Sequence, residues 1–303
     1  MKWLLYFLAV PAFAQQPCEQ LGQLKLDKVT IASAQLVPAA KIPAHCAVKA
    51  IARPTTDSEI RFEVWMPLEG WNGKYQQVGN GGWAGSIPAG SIATAVARGY
   101  AAAGTDDGHE SKTPGATWAI GHPEKLIDFG YRALKETSTH SKAIIQAFYG
   151  KPANRSYFVG CSDGGREALM QAQRFPEDFD GIIAGAPAND WSYLLTAAAW
   201  NMQALLKEPG SAIPPAKLAA IQKAVVTACD NLDGVRDGLL EDPRKCNFDP
   251  AVLTCQAEDS DQCLTAPQVV ALRKIYQGPH NSRTGKRIFA GSAPGTEAVP
   301  GAW

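Results

Sequence analysis

"FVGCSDGGREALMQAQRFPEDFDGIIAGAPA", residues 158–188, holds a serine between two glycines, with an apolar run before it and a helical pattern after it. Gly160-Cys161-Ser162-Asp163-Gly164 fits G-x-S-x-G, a pattern that carries meaning only at a strand-to-helix turn. "RSYFVG" (155–160) reads as the strand and "GREALMQAQRF" (165–175) as the helix, so the context is met. So sharp a turn puts the serine in a strained conformation, and side chains two positions away on either side would collide. The Ser162 hydroxyl is then exposed at a helix N-terminus, where the dipole and the free N–H of Asp163 can stabilise a developing oxyanion.

The same rhythm extends upstream. "EIRFEVWMP" (59–67) and "KYQQVGNGG" (74–82) have strand character, "SIATAVARG" (91–99) is a short helix with a glycine stop, and "YAAAGTDDG" (100–108) is a buried strand running into a loop. "DFGYRALKETSTHSKAIIQAFYG" (128–150) keeps a helical period up to its glycine, and "FDGIIAGAPA" (179–188) closes the series as another strand. Such alternation predicts an α/β protein with a mostly parallel sheet and helices on both faces. Beyond about Asn189 the βαβ rhythm stops and Pro-rich connections, four cysteines and Asp-Gly pairs take over, which places a domain boundary there.

Composition bounds the rest. A chain of 303 residues, 46% hydrophobic and 19% charged, can bury a large core. Its 29 basic and 29 acidic residues cancel, so no long-range field draws nucleic acid or an anionic membrane, and a small neutral or weakly charged substrate is expected. "MKWLLYFLAVPAFAQQP" reads as a secretory signal over residues 1–14, too short to span a bilayer; a buried N-terminal strand or helix is the alternative. Export to the periplasm or medium means an oxidising compartment, in which seven cysteines are disulfide candidates and one is left over.

"DFGYRALKETSTHSKAIIQAFYG", "SYFVGCSDGGREALMQAQRFPEDFDGIIAGAPA" and "VGNGGWAG" resemble the tannase and feruloyl esterase family of secreted α/β-hydrolases, which includes enzymes acting on mono(2-hydroxyethyl) terephthalate. The resemblance implies an α/β-hydrolase core over residues 15–189 with an inserted lid from 190 to 303. It also implies that the cysteine before the nucleophile pairs with one directly after the catalytic histidine. No downstream His-Cys pair or acidic partner follows in this chain, so the lid and core are expected to be incomplete at the C-terminal side. The pairs implied by the family are Cys18–Cys46, Cys229–Cys246 and Cys255–Cys263, with Cys161 unpaired.

Other candidates are weighed against that frame. His45-Cys46 is itself a His-Cys dipeptide, but it precedes the serine, whereas the fold expects the base after the last strands. His109, in "GTDDGHE", is read as a hydrogen-bonded loop histidine that borders the active-site side of the sheet, and His122, His140 and His280 as surface residues. A second oxyanion donor needs a loop bare of side chains, and "GNGGWAG" (79–85) offers Gly81 or Gly82, with a simple tight turn as the other reading. Trp191, Tyr193, Trp200 and Trp303 could stack on an aromatic acyl group, although packing is the commoner use of such side chains.

"CDNLDGVRDGLLEDP" (229–243) gathers Asp230, Asp233 and Asp237, with glycines that let the carbonyls of Val235 and Leu239 turn inward. Hard oxygen donors on a compact loop suit a structural Ca²⁺, and the spacing is not that of an EF-hand. Solvated Asp-Gly turns are the other reading. The family's lid has a calcium loop here, enclosed by the disulfide that Cys229 and Cys246 would reproduce. The expected function is a secreted serine esterase for small aromatic esters, hydrolysed through an acyl-enzyme on Ser162, with no nucleic-acid or membrane partner. The alternative is a truncated or non-catalytic calcium-binding relative.

Overall fold

The computed structural model describes residues 15–111 and 115–299. The expected signal segment at 1–14 and Trp303 lie outside the described residues. The chain divides into two compact units, Met1–Asn189 and Asp190–Trp303.

In the first unit seven strands form one sheet: β1 (Val29–Val37), β2 (His45–Ala52), β3 (Ile60–Pro67), β4 (Lys74–Val78), β5 (Ala101–Thr105), β6 (Arg155–Cys161) and β7 (Gly181–Gly185). Their order is β1-β2-β3-β5-β4-β6-β7. Strands β5, β4, β6 and β7 run parallel, whereas β1, β2, β3 and β5 are joined by antiparallel pairings. The expectation of a mostly parallel sheet is therefore corrected to a mixed one. The antiparallel part escaped because β2 is alanine-rich and buried on both faces, so its sequence has no polar/apolar alternation to read.

Helices α1 (Ala89–Ala97), α2 (Pro123–Ile127), α3 (Ala133–Tyr149) and α4 (Asp163–Arg174) surround the sheet. Small residues on β5 let two layers approach it, and all five of its residues are buried. Ala101 and Ala103 share a core with Phe62 and with Ile144, Ile145 and Phe148 of α3. Ala102 points the other way, into a core with Val78, Ile92, Ala95 and Val96 at α1. The helix expected from residue 128 starts instead with a π-helical turn, Asp128–Arg132, before α3 proper, which Gly150 ends at φ 70°. Arg132 bonds Asp128 at 2.5 Å and Ser58 at 2.8 Å within that turn.

On the α1 side, the neighbouring stretch of sheet is open. Gln76, Val78, Val159, Cys161 and Ile183 line a cavity of about 550 Å³ with Gly79, Asn80 and Gly81 at its rim.

The second unit contains α5 (Trp191–Leu206), α6 (Pro215–Cys229) and α7 (Ala266–Gln277). Its core joins Ile221 and Val225 of α6 to Leu264, Val269 and Leu272. Buried Lys217 is held by Asp259, by the Cys263 carbonyl and by Gln268. No helix among the described residues is long and apolar enough to cross a membrane.

A Cβ on Gly160 would stand 2.1 Å from the Gly164 carbonyl oxygen, whereas one on Gly90 of α1 meets nothing within 4 Å. Gly160→Ala is therefore expected to destabilise by more than the ~1–3 kcal/mol usual for overpacking, and Gly90→Ala by no more than about 0.5 kcal/mol. Urea denaturation of the two variants checks this, and equal midpoints would contradict it.

Candidate active site

The strand β6 ends at Cys161, Ser162 turns the chain at φ 61° and ψ −117°, and α4 begins at Asp163. A positive φ is strained for serine, and the surroundings hold it there. The Ser162 N–H donates to the Gly185 carbonyl at 3.0 Å, and its own carbonyl accepts from Gly165, Arg166 and Ala188 at 3.0, 3.1 and 2.9 Å. With both backbone groups fixed, the exposed side chain makes no cap hydrogen bond to the helix. Asp163 is the first residue of α4, so its N–H has no intrahelical acceptor.

The glycine-rich loop lies against this turn. Gly164 N–H donates to the Asn80 carbonyl at 2.9 Å, and Gly79 N–H to Val159 at 3.0 Å. A Cβ on Gly79 would come 2.6 Å from the Gly164 Cα, so the two backbones touch. Gly81 and Gly82 follow on the exposed side of the loop, with Gly82 at φ 62°. Ala84 N–H closes the turn onto Gly81 O at 3.1 Å.

Beneath the turn lies a set of buried charges that the sequence reading missed. Asp107, Asp163 and Glu167 bring carboxylate oxygens within 4.8 Å of one another, and all three are buried. Arg166 holds Asp163 at 2.6 and 3.3 Å and stands 3.7 Å from Asp107. Burial pushes Asp107 up to about 7 and Asp106 up to about 8, and raises Glu167 well above the usual carboxylate range. Asp107 also has a positive φ of 61°.

In the first unit the histidines are engaged away from Ser162 or packed against aromatic rings. His45 is buried, bonds the Pro43 carbonyl at 2.9 Å and stacks on Trp65 at 4.9 Å. His109 is buried and stacked on Trp118 at 3.9 Å, with the backbone of Trp83 and Asp107 beside its ring. Burial holds its pKa below the ordinary histidine value. His122 is exposed and pairs with Asp57 at 2.8 Å. His140 corrects the expectation of a surface residue, because it is buried on the core face of α3 and bonded to Glu136 at 3.0 Å.

In the second unit His280 is half-buried, also unlike a surface residue, with Nδ1 2.7 Å from the Gly278 carbonyl. Trp200 donates to the Lys274 carbonyl at 2.8 Å, Trp191 is half-buried, and Tyr193 is exposed rather than packed.

Disulfides join Cys18 to Cys46, Cys229 to Cys246 and Cys255 to Cys263, and Cys161 is a free, exposed thiol. Cys46 is thereby unavailable to Cys161. In the 230–239 loop the Asp230, Asp233 and Asp237 carboxylates each accept one backbone N–H, from Gly238, Val235 and Leu239 at 3.0, 2.8 and 3.1 Å. These carboxylates do not form a gathered set: among the described residues, acidic or thiol groups of three within 4.8 Å are Asp107/Asp163/Glu167 and Cys255/Asp259/Cys263. The second of these contains a disulfide and cannot offer two thiolates.

The tannase and feruloyl esterase family model matches residues 14–302. The chain belongs to this family. Among family relatives, an uncharacterized esterase of Xanthomonas campestris pv. campestris is 45% identical over 307 residues, which cover 98% of this chain and 53% of that protein. A probable feruloyl esterase B-2 of Aspergillus flavus is 37% identical over 258 residues, covering 83% and 48%. Crystalline feruloyl esterase B from Aspergillus oryzae superposes with a TM-score of 0.81 at 30% identity, covering 93% of this chain and 59% of that one. The chain thus has an α/β-hydrolase fold, and it spans about half the length of the curated relatives it matches.

With one free cysteine, the 303-residue chain expressed by itself should titrate a single thiol with Ellman's reagent, and its Cys161→Ser variant should titrate none. Reactivity that survives in Cys161→Ser would mean that one of the three disulfides is open.

Proposed function

We propose that this chain carries the nucleophile and the oxyanion donors of a secreted serine esterase acting on esters of aromatic carboxylic acids. The observation that carries the reading is the turn itself: Ser162, strained at φ 61°, has both backbone groups tied down and its side chain exposed at the start of α4. The feruloyl esterases among its relatives support the aromatic acyl group.

In this reading Ser162 Oγ attacks the ester carbonyl carbon while a general base takes its proton. The carbonyl electrons move onto oxygen, which the Asp163 N–H and that of Gly81 or Gly82 stabilise. Collapse expels the alcohol, which takes the proton from the base, and leaves the acyl group on Ser162. Water activated by the same base then releases the carboxylic acid and restores the serine. The histidines of the first unit bond elsewhere or lie buried, and His280 is turned onto its own backbone. The base and its orienting acid therefore come from residues outside this chain. The exposed Cys161 would tie the base to the nucleophile through a disulfide to a cysteine beside that base.

The second unit would serve as the lid and carry the calcium. The donor type suits the ion, since each of the three aspartates of the 230–239 loop has one oxygen on a backbone N–H and a second left for a cation, and Cys229–Cys246 closes the loop; binding would have to draw the three carboxylates together. Asp230, Asp233 and Asp237, with the carbonyls of Val235 and Leu239, would hold the ion, whose part is to stabilise the loop. Balanced charge, the disulfides and the lack of a membrane helix among the described residues support a soluble exported protein with small-ester substrates.

Ser162→Ala in the intact enzyme should lower methyl ferulate turnover by roughly 10⁶-fold, and a variant keeping more than a few per cent would remove Ser162 from the mechanism. The 303-residue chain alone should retain no more than the ~10³–10⁴ over water that oxyanion donors supply without a base. For calcium, about 100 Kd of the ion should stabilise the protein by about 2.7 kcal/mol; calorimetry with neither a shift in unfolding nor heat of binding would refute the site.

A further inference from the structure

We propose that Glu167 and Asp107 share one proton beneath the nucleophile turn, and that through this pair Glu167 is a positioning residue that clamps the 79–82 loop onto α4. Its bearing on catalysis rests on the esterase reading above, whereas the shared proton does not.

Glu167 lies one turn along α4 from Asp163 and is wholly buried. Both of its oxygens face the Asn80 N–H, at 3.2 and 3.3 Å. Asn80 is fixed from two further sides: its carbonyl accepts from Gly164, and its side-chain amide donates to Thr105 O at 2.8 Å. Glu167 thus grips the loop one residue before the exposed Gly81 and Gly82. A Cβ on Gly79 would stand 2.8 Å from Glu167 Oε2, so the loop reaches the carboxylate only because it carries glycine there.

Charge balance requires the proton. The elements around Glu167 contribute Asp163 and Arg166 from α4, Asp106 and Asp107 from the segment after β5, the uncharged Asn80 from the loop, and the Phe129 carbonyl from the π-turn. Arg166 is the cation of this set; it bonds Asp163 through two nitrogens and the Phe129 and Gly130 carbonyls at 3.1 and 3.4 Å, and stands farther off, at 3.7 Å, from Asp107. Arg61 lies 3.7 Å from Asp106 instead. Asp163 is therefore the carboxylate that the guanidinium pairs directly. Asp107 and Glu167 remain as two dry carboxyls in contact, and like charges so placed cannot both ionise. Read as a carboxylate, Asp107 has no hydrogen-bond donor on either oxygen. A proton on Glu167 supplies one: its O–H donates to Asp107, and its other oxygen accepts from the Asn80 N–H. Burial and the neighbouring Asp107 raise Glu167 well above the usual carboxylate range, in agreement with this placement.

Glu167→Gln keeps the shape, a donor for Asp107 and an acceptor for Asn80, but removes the titrating proton; Glu167→Ala removes the clamp. At about pH 6, the wild-type minus Glu167→Gln infrared difference spectrum should show one protonated-carboxyl C=O band. Hydrogen exchange of the Asn80 amide should be unchanged in Glu167→Gln and about tenfold faster in Glu167→Ala, the scale of one lost hydrogen bond. Because the folded values lie above the ordinary ones, wild-type stability should fall as pH rises from about 4.5 towards about 7, and fall less steeply in Glu167→Gln. A difference spectrum without the band would overturn the shared proton, and unchanged exchange in Glu167→Ala would overturn the clamp. In the intact enzyme, Glu167→Ala should lower kcat more than it raises KM, with Glu167→Gln restoring kcat. A wild type with no ester turnover would sink the esterase reading while leaving the spectroscopic and exchange outcomes to decide the proton and the clamp.

Discussion

The Gly79–Asn80 segment lies on Gly164 backbone to backbone, with the Gly164 N–H donating to Asn80 O at 2.9 Å, and the site is organised around this contact. A side chain at Gly79, Gly160 or Gly164 would insert an atom within 2.6, 2.1 or 2.8 Å of another residue's backbone. Protein interiors transmit such misfits rather than absorb them, so a methyl group there would move the loop, the helix start or both. Since an oxyanion donor is useful only when aimed to within a fraction of an ångström, a contact with no intervening side chain is a direct way to set the spacing.

The buried charges follow from the same packing. Tight glycine contacts exclude water from the space between β5, the loop and α4, and Asp107, Asp163 and Glu167 then depend on one guanidinium and on backbone donors. Replacing one partner in such a network costs more than the pair contributes. Such a device gives the turn rigidity without adding bulk at the surface where Ser162 is exposed.

Local constraints were readable in the sequence and long-range ones were not. The G-x-S-x-G turn was legible because its glycines answer a steric demand within five residues, and the parallel strands and α3 were legible by period. Strands β1 and β2 were missed: β2 is buried on both faces and carries no contrast for periodicity to detect, and the alternation of β1 is broken by a register shift between Ile31 and Ser33. His140 was misplaced although the signal was present, since it shares a helical face with Thr137, Ser141 and Ile144. Glu167 could likewise have been flagged, being at helical spacing from Gly164, Ala168 and Gln171 on the buried face of α4. Its partner Asp107 could not, because only the fold brings the segment after β5 to that helix. The stacking of His109 on Trp118 is equally a product of tertiary packing.

The central claim, that Ser162 is the group this fold presents to an ester carbonyl, is tested most directly by trapping. An activated aromatic ester such as p-nitrophenyl ferulate should acylate the protein in a rapidly quenched reaction, and peptide mass spectrometry should place the feruloyl group on Ser162. An acyl group found on another side chain, or acylation that persists undiminished in Ser162→Ala, would contradict the account.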